Sequence, residues 1–107
     1  MNLDTLRDEL RAFVAARGWE PFHDPKNLST ALMVEAAELA EIFQWMTREQ
    51  SLAVRTDAGL RERTADEIAD VLIYLVELAD NAGIDIGTAV ANKLRKNAVK
   101  YPAPGGG

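Results

Sequence analysis

Apolar residues recur at three- and four-residue intervals along three stretches of this chain. Leu3, Leu6, Leu10, Phe13 and Val14 mark the first, Leu28, Leu32, Leu39, Ile42 and Met46 the second, and Ile68, Val71, Leu72, Leu75 and Leu78 the third. That spacing belongs to amphipathic helices, and no segment alternates as a strand would. Gly18 stops a first helix over residues 3–17, as a C-terminal glycine does. The connector from Trp19 to Asn27 holds two prolines and two aromatics. Asp24-Pro25 reads as an N-cap and a first-turn proline, so a second helix is expected from Pro25 to about Met46. Residues 47–58 are polar and broken, with one short turn around Glu49–Val54. A third helix should run from Gly59 to about Asp80 and end at Asn81-Ala-Gly83. Asp85 can cap a fourth over Ile86–Lys100. The expected architecture is all-α: four main helices, two of them long, in one domain over residues 1–101. Pro102–Gly107 is expected to be a flexible tail.

Two of these stripes contain residues that do not belong on an oily face. Glu35 falls in the middle of the second helix's apolar arc, and Glu38 lies one turn on at its edge; Glu41 points toward a polar face. The third helix repeats the anomaly on an arc of Leu60, Val71, Tyr74, Leu75 and Leu78. Glu67 sits near its centre and Asp70 at its edge. Burying a bare carboxylate is costly unless a cation or hydrogen-bond donors compensate it. Packing the two faces together would gather four carboxylates that repel strongly at low dielectric. A hard divalent cation removes the conflict, and magnesium favours such oxygens and is often shared with phosphates. Two plainer readings stay open. The acids are solvated if the helices pack through other arcs. Thr64-Ala-Asp-Glu67 also fits a capping box, which would reduce Glu67 to a helix-start residue.

Composition narrows the classes. The chain has 107 residues, 48% of them hydrophobic, enough for one compact domain with a small core. Net charge is −5 and no basic tract occurs, which argues against a nucleic-acid polymer as partner. Without cysteine, disulfides, thiol catalysis and cysteine-bound zinc are excluded. No apolar run approaches membrane-spanning length, and Met1–Arg7 has no signal-like core, so a cytoplasmic protein is expected. A di-iron carboxylate bundle would want Glu-x-x-His pairs, and no histidine follows these acids.

Four blocks in order carry a family resemblance. They are Phe22-His-Asp-Pro-Lys-Asn-Leu28, Glu35-Ala-Ala-Glu-Leu-Ala-Glu-Ile-Phe-Gln-Trp45, Glu67-Ile-Ala-Asp-Val-Leu-Ile-Tyr-Leu75, and Lys93, Asn97 and Tyr101-Pro102 at four-residue steps. With 28 residues between Glu38 and Glu67, the chain resembles the MazG-like all-α nucleoside triphosphate pyrophosphatases, in their dCTP pyrophosphatase branch, from about Leu6 to Pro102. The resemblance implies a helical bundle assembled as a homodimer or as a dimer of dimers (a homotetramer), with pockets between subunits. It implies Mg²⁺, with Mn²⁺ as a substitute, at Glu35, Glu38, Glu67 and Asp70. It further implies cleavage of a nucleoside triphosphate substrate between the α and β phosphates, in nucleotide-pool house-cleaning.

Other residues gain candidate parts from the same match. Lys93 and Asn97 share one helix side and match positions used on the phosphates. Trp19, Trp45 and Tyr74 match positions near the base and sugar; core or interface packing is the commoner task of tryptophan. On the expected second helix Trp45 projects on the side of Glu38, two turns on. His23, the only histidine, reads as scaffold or pocket wall. Lys26 and Asn27 open the second helix, where ligand contact and helix initiation are both open to them. Tyr101 completes the pocket candidates. Glu38 is the candidate general base, with pure metal ligation as its alternative. Leu10 stands where animal dCTP pyrophosphatases carry a histidine near the base, and leucine cannot hydrogen-bond a pyrimidine. The same reaction on dUTP or a damaged nucleotide therefore competes with dCTP or a modified dCTP. A non-enzymatic helical interaction module is the alternative of another class.

Overall fold

Each long helix begins on a side chain that replaces the missing backbone partners of its first turn. In the computed structural model, which describes residues 1–105, Asn2 caps α1 (Leu3–Ala16), its Oδ1 accepting from the Asp4 amide at 2.8 Å. Asp24 caps α2 (Pro25–Phe43), accepting from Asn27 at 2.7 Å, with Pro25 in the first turn. Thr47 and Gln50 form a capping box around the short α3 (Arg48–Leu52). Asp57 caps α4 (Ala58–Asn81) and Asp85 caps α5 (Ile86–Lys100). Single 3₁₀ turns occupy Glu20–Phe22 and Ala53–Arg55. Gly18 and Gly83 adopt φ of 65° and 71°, the left-handed geometry in which α1 and α4 are terminated. The described residues form no strand, so the all-α expectation holds.

The boundaries differ from the sequence reading in two places. α2 stops at Phe43 rather than near Met46, because Thr47 must be extended to cap α3 and the chain leaves the helix before it. Trp45 therefore lies in a turn, not on the helix side of Glu38. Residues 47–58 are also more regular than the single turn expected, holding both α3 and a 3₁₀ turn. The flexibility expected of residues 102–107 concerns in part residues 106 and 107, which lie outside the described residues.

α4 is the spine. α2 packs along it on one side and α1 on another. Among the described residues the buried apolar side chains are Val14, Leu28, Ile42 and Val76, a smaller core than composition suggested. Val76 is buried where the third-helix arc named Leu75 and Ile68, which are exposed, because α4 serves two neighbours and not one face. The Arg11 guanidinium holds Asp80 through two hydrogen bonds, Nε to Oδ2 at 2.8 Å being one, and ties α1 to the end of α4. α5 does not fold back onto the α2–α4 pair, and its Val90, Leu94 and Val99 are exposed. The radius of gyration is 17.2 Å, against about 13 Å for a compact 100-residue domain. No described helix is long and apolar enough to cross a membrane.

Candidate active site

α2 and α4 run antiparallel. Leu28, near the start of α2, meets Val76 and Glu77, near the end of α4, around one cavity. Further along, Glu35 and Glu38 meet Glu67: one carboxylate oxygen from each lies within 4.8 Å of the others. Glu35 and Glu67 are half-buried and Glu38 is exposed. The Oε2 atoms of Glu35 and Glu67 are closed off from solvent and accept no hydrogen bond.

Such an arrangement is electrostatically incomplete. Burial, the Glu67 carboxyl beside it, and the charges of Glu38 and Asp70 together push the Glu35 carboxyl up to about 7 from an ordinary 4.5. Two buried oxygens face each other with no donor between them. A shared proton, a cation or another donor from outside the chain would relieve them. An all-oxygen donor set, partly open to solvent through Glu38, fits a hard divalent cation with room left for a further ligand. Asp70 adds to the field on Glu35 but stands outside the trio. The capping-box alternative for Glu67 is ruled out: Asp57 caps α4, and Thr64 lies well inside it. The Thr64 hydroxyl is itself buried without a partner, one turn before Glu67.

The other candidates spread more widely. Tyr74 is half-buried, its hydroxyl pushed up by burial first and then by Glu77, Glu35 and Asp70, so it lies between the acid trio and the cavity end of α4. Trp19 packs edge-on against Phe13, with ring centroids 5.7 Å apart. Trp45 is 88% exposed. The Asn27 side chain donates to the Phe22 carbonyl at 3.1 Å, and the His23 carbonyl accepts from the Asn81 amide at 2.9 Å; both bonds fix the connector. The Lys26 carbonyl accepts from Ser29 and Thr30, while the residue itself is exposed. Lys93 and Asn97 are on α5, which packs along neither acid-bearing helix, so helix packing within one chain does not gather them with the carboxylates. Tyr101 is exposed, beside Lys100.

A cavity of about 350 Å³ opens between α1, the connector, the start of α2 and the end of α4. Leu10, Val14, Leu28 and Val76 form its apolar walls, and Glu77 and His23 face it. Burial pushes the Glu77 carboxyl up, against the opposing effect of His23. The sequence reading missed Glu77. The signal was available, because Glu67, Asp70, Tyr74 and Glu77 lie at i, i+3, i+7 and i+10 on one stripe of α4.

Comparison with known proteins places this geometry. The MazG-like family model matches residues 30–107. Human dCTP pyrophosphatase 1 is 44% identical over 106 residues, covering 95% of this chain and 60% of the human protein. The rat protein of the same name is 40% identical over 101 residues, covering 94% and 59%. The chain thus spans about 60% of the length of these curated relatives. A dATP/dGTP diphosphohydrolase of Salmonella phage PMBT28 is 38% identical over 81 residues, 75% of this chain and 23% of the phage protein. The crystal structure of a pyrophosphatase from Archaeoglobus fulgidus matches with a TM-score of 0.83 and 44% identity, covering 94% of this chain and 92% of that one. The helical fold, the acids converging from α2 and α4, and these matches agree: the chain belongs to the MazG-like family.

Proposed function

We propose that the chain is a Mg²⁺-dependent nucleoside triphosphate pyrophosphohydrolase, with Mn²⁺ as a substitute, acting on a deoxynucleotide in house-cleaning of the cytoplasmic pool. dCTP or a modified dCTP is the favoured substrate. The observation that carries this reading is the trio of Glu35, Glu38 and Glu67, two of them with orphaned buried oxygens, on a chain 44% identical to a protein named dCTP pyrophosphatase 1. Bound magnesium supplies the positive charge that lets carboxylates and phosphate oxygens share one site. Glu35, Glu38, Glu67 and Asp70 would hold it, the first three already converging and Asp70 adding its charge beside Glu35.

Glu38, the exposed member of the trio, takes the proton of the attacking water as general base. The water oxygen bonds to the α-phosphorus, the bond from that phosphorus to the bridging oxygen breaks, and pyrophosphate leaves with the bridging oxygen. Lys93 and Asn97 bind the phosphate tail, Tyr74 flanks the sugar, and Trp19 together with Trp45 from a second copy flanks the base. His23, Lys26, Asn27 and Tyr101 border the pocket. A second copy of the chain covers α5 and brings its polar residues to the acids. The long radius of gyration and the exposed Val90, Leu94 and Val99 support that assembly, as a dimer or a dimer of dimers.

A second reading keeps the reaction and changes the base, and the phage relative named for dATP and dGTP favours it. Incubation with each deoxynucleoside triphosphate and Mg²⁺ separates the two: monophosphate and pyrophosphate should form, fastest from dCTP. Glu38→Gln should lower turnover by about 10²- to 10⁴-fold, the usual contribution of a general base, with helicity unchanged. If no triphosphate is cleaved with either Mg²⁺ or Mn²⁺, the hydrolase reading is lost and the interaction-module reading gains.

A further inference from the structure

Glu77 is a carboxylate with no built-in cation. Both arginines bordering its cavity are engaged elsewhere. Arg7 pairs with Asp4 at 3.4 Å and Asp8 at 3.2 Å, and Arg11 is taken by Asp80 and Asp8. The cavity sets Glu77 together with apolar Leu10, Val14, Leu28 and Val76, three of them buried, and with the polar Glu20, His23 and Asn81. A half-buried acceptor in such surroundings costs stability unless something that enters donates to it. Leu10 has no polar atom to offer an incoming ring.

The position of Glu77 says what enters. Along the α4 stripe, Asp70 and Glu77 are seven residues apart, about 10 Å at 1.5 Å per residue, with Tyr74 between them. Tyr74 feels the charges of Glu77, Glu35 and Asp70 together, so the acid trio and the cavity are neighbouring parts of one surface. That span suits a nucleotide whose phosphates lie at the acids, whose sugar lies by Tyr74 and whose base enters the cavity. At about 350 Å³ the cavity is at the small end of ligand pockets, which suits a single ring.

We propose that Glu77 is a specificity-determining residue, accepting a hydrogen bond from the exocyclic amine of an amino-pyrimidine and turning away rings that carry an oxo group there. The inference rests on the reading of the acid trio as a triphosphate pyrophosphatase centre. An ionised carboxylate only accepts, so an amine satisfies it and a carbonyl oxygen repels it. Glutamate reads the cytosine amine in this way in nucleic-acid grooves. Burial raises the Glu77 carboxyl above its ordinary value, and His23, facing the same cavity, works against that rise.

The test is the affinity of the intact protein for dCMP and dUMP by titration calorimetry, with kcat/KM for dCTP and dUTP, in wild type, Glu77→Gln and Glu77→Ala. The wild type should prefer the cytosine nucleotide. Glu77→Gln, whose amide donates as well as accepts, should shrink the preference about tenfold or more, chiefly by gaining dUMP. Glu77→Ala should shrink it by losing dCMP. Glutamine is nearly isosteric, so the experiment survives a poorly folded alanine variant. A wild type without the preference, or a wild-type preference retained in both variants, overturns the proposal. Turnover with an unmoved base ratio sinks this inference and spares the hydrolase; a Glu77-dependent dCMP preference without turnover does the reverse.

Discussion

α4 carries partly buried acids near its middle and near its C-terminal end, and the two places treat them in opposite ways. Near its C-terminus Asp80 receives the Arg11 guanidinium, which holds its carboxyl below the usual 3.8. Near its middle, Glu67 meets Glu35 and Glu38 with no cation among them, and the Glu35 carboxyl is pushed up to about 7. The first arrangement is finished within the chain and fastens α1 to α4. The second is finished only by something from outside. The acid near the C-terminus is paired within the chain, while three carboxylates meet near the middle without a cation, an arrangement that fits a bound ion.

The sharpest way to break that contrast is to remove a carboxylate from the incomplete cluster. Glu35→Gln and Glu67→Gln should each abolish turnover and, in the same preparations, abolish the rise in melting temperature that Mg²⁺ gives the wild type. That rise corresponds to roughly 2.7 kcal/mol at a metal concentration a hundred times Kd. Removing one of three facing carboxylates also relieves repulsion, so the metal-free variants should melt at or above the metal-free wild type. A metal response that survives in both variants would place the cation elsewhere.

pH sharpens the comparison next, because the two places have opposite signs. The folded-state value of Glu35, about 7, lies above its ordinary 4.5. Its contribution is therefore full below about 4.5 and is lost as pH rises through about 7. Metal-free protein should melt progressively lower between those limits. Saturating Mg²⁺, which binds the deprotonated acids, should reverse the slope. Asp80 lies below its ordinary 3.8, so its contribution is present above 3.8 and lost as pH falls further. Thermal melts from pH 3 to 8, with and without Mg²⁺, read both signs.

The smallest effect belongs to the finished pair. Asp80→Asn should lower the melting temperature by a few degrees, since the Arg11 side of the pair is exposed and such pairs contribute little. It should leave the Mg²⁺-induced rise intact. If Asp80→Asn instead erases the metal response, the two places are not independent and the contrast fails.

The sequence by itself determined the four longer helices and, to within a residue, their starts. Caps such as Asp24 with Pro25, and Asp85, act within one turn, so local chemistry suffices to place them. It also disclosed the anomalous acids, because Glu35 and Glu67 break a periodic pattern visible in one dimension. Where α2 ends was harder, since Phe43 gives way to a competing cap at Thr47. Only the tertiary structure decided which carboxylates meet, because the antiparallel pairing of α2 with α4 selects Glu35, Glu38 and Glu67 and leaves Asp70 beside them. It alone set Glu77 in a cavity with Leu10, Val14 and Leu28, since those walls come from α1 and α2, far away in the chain. It also sent α5 away from the acids, because the direction a helix takes after Gly83 depends on what packs against it, and within one chain little does.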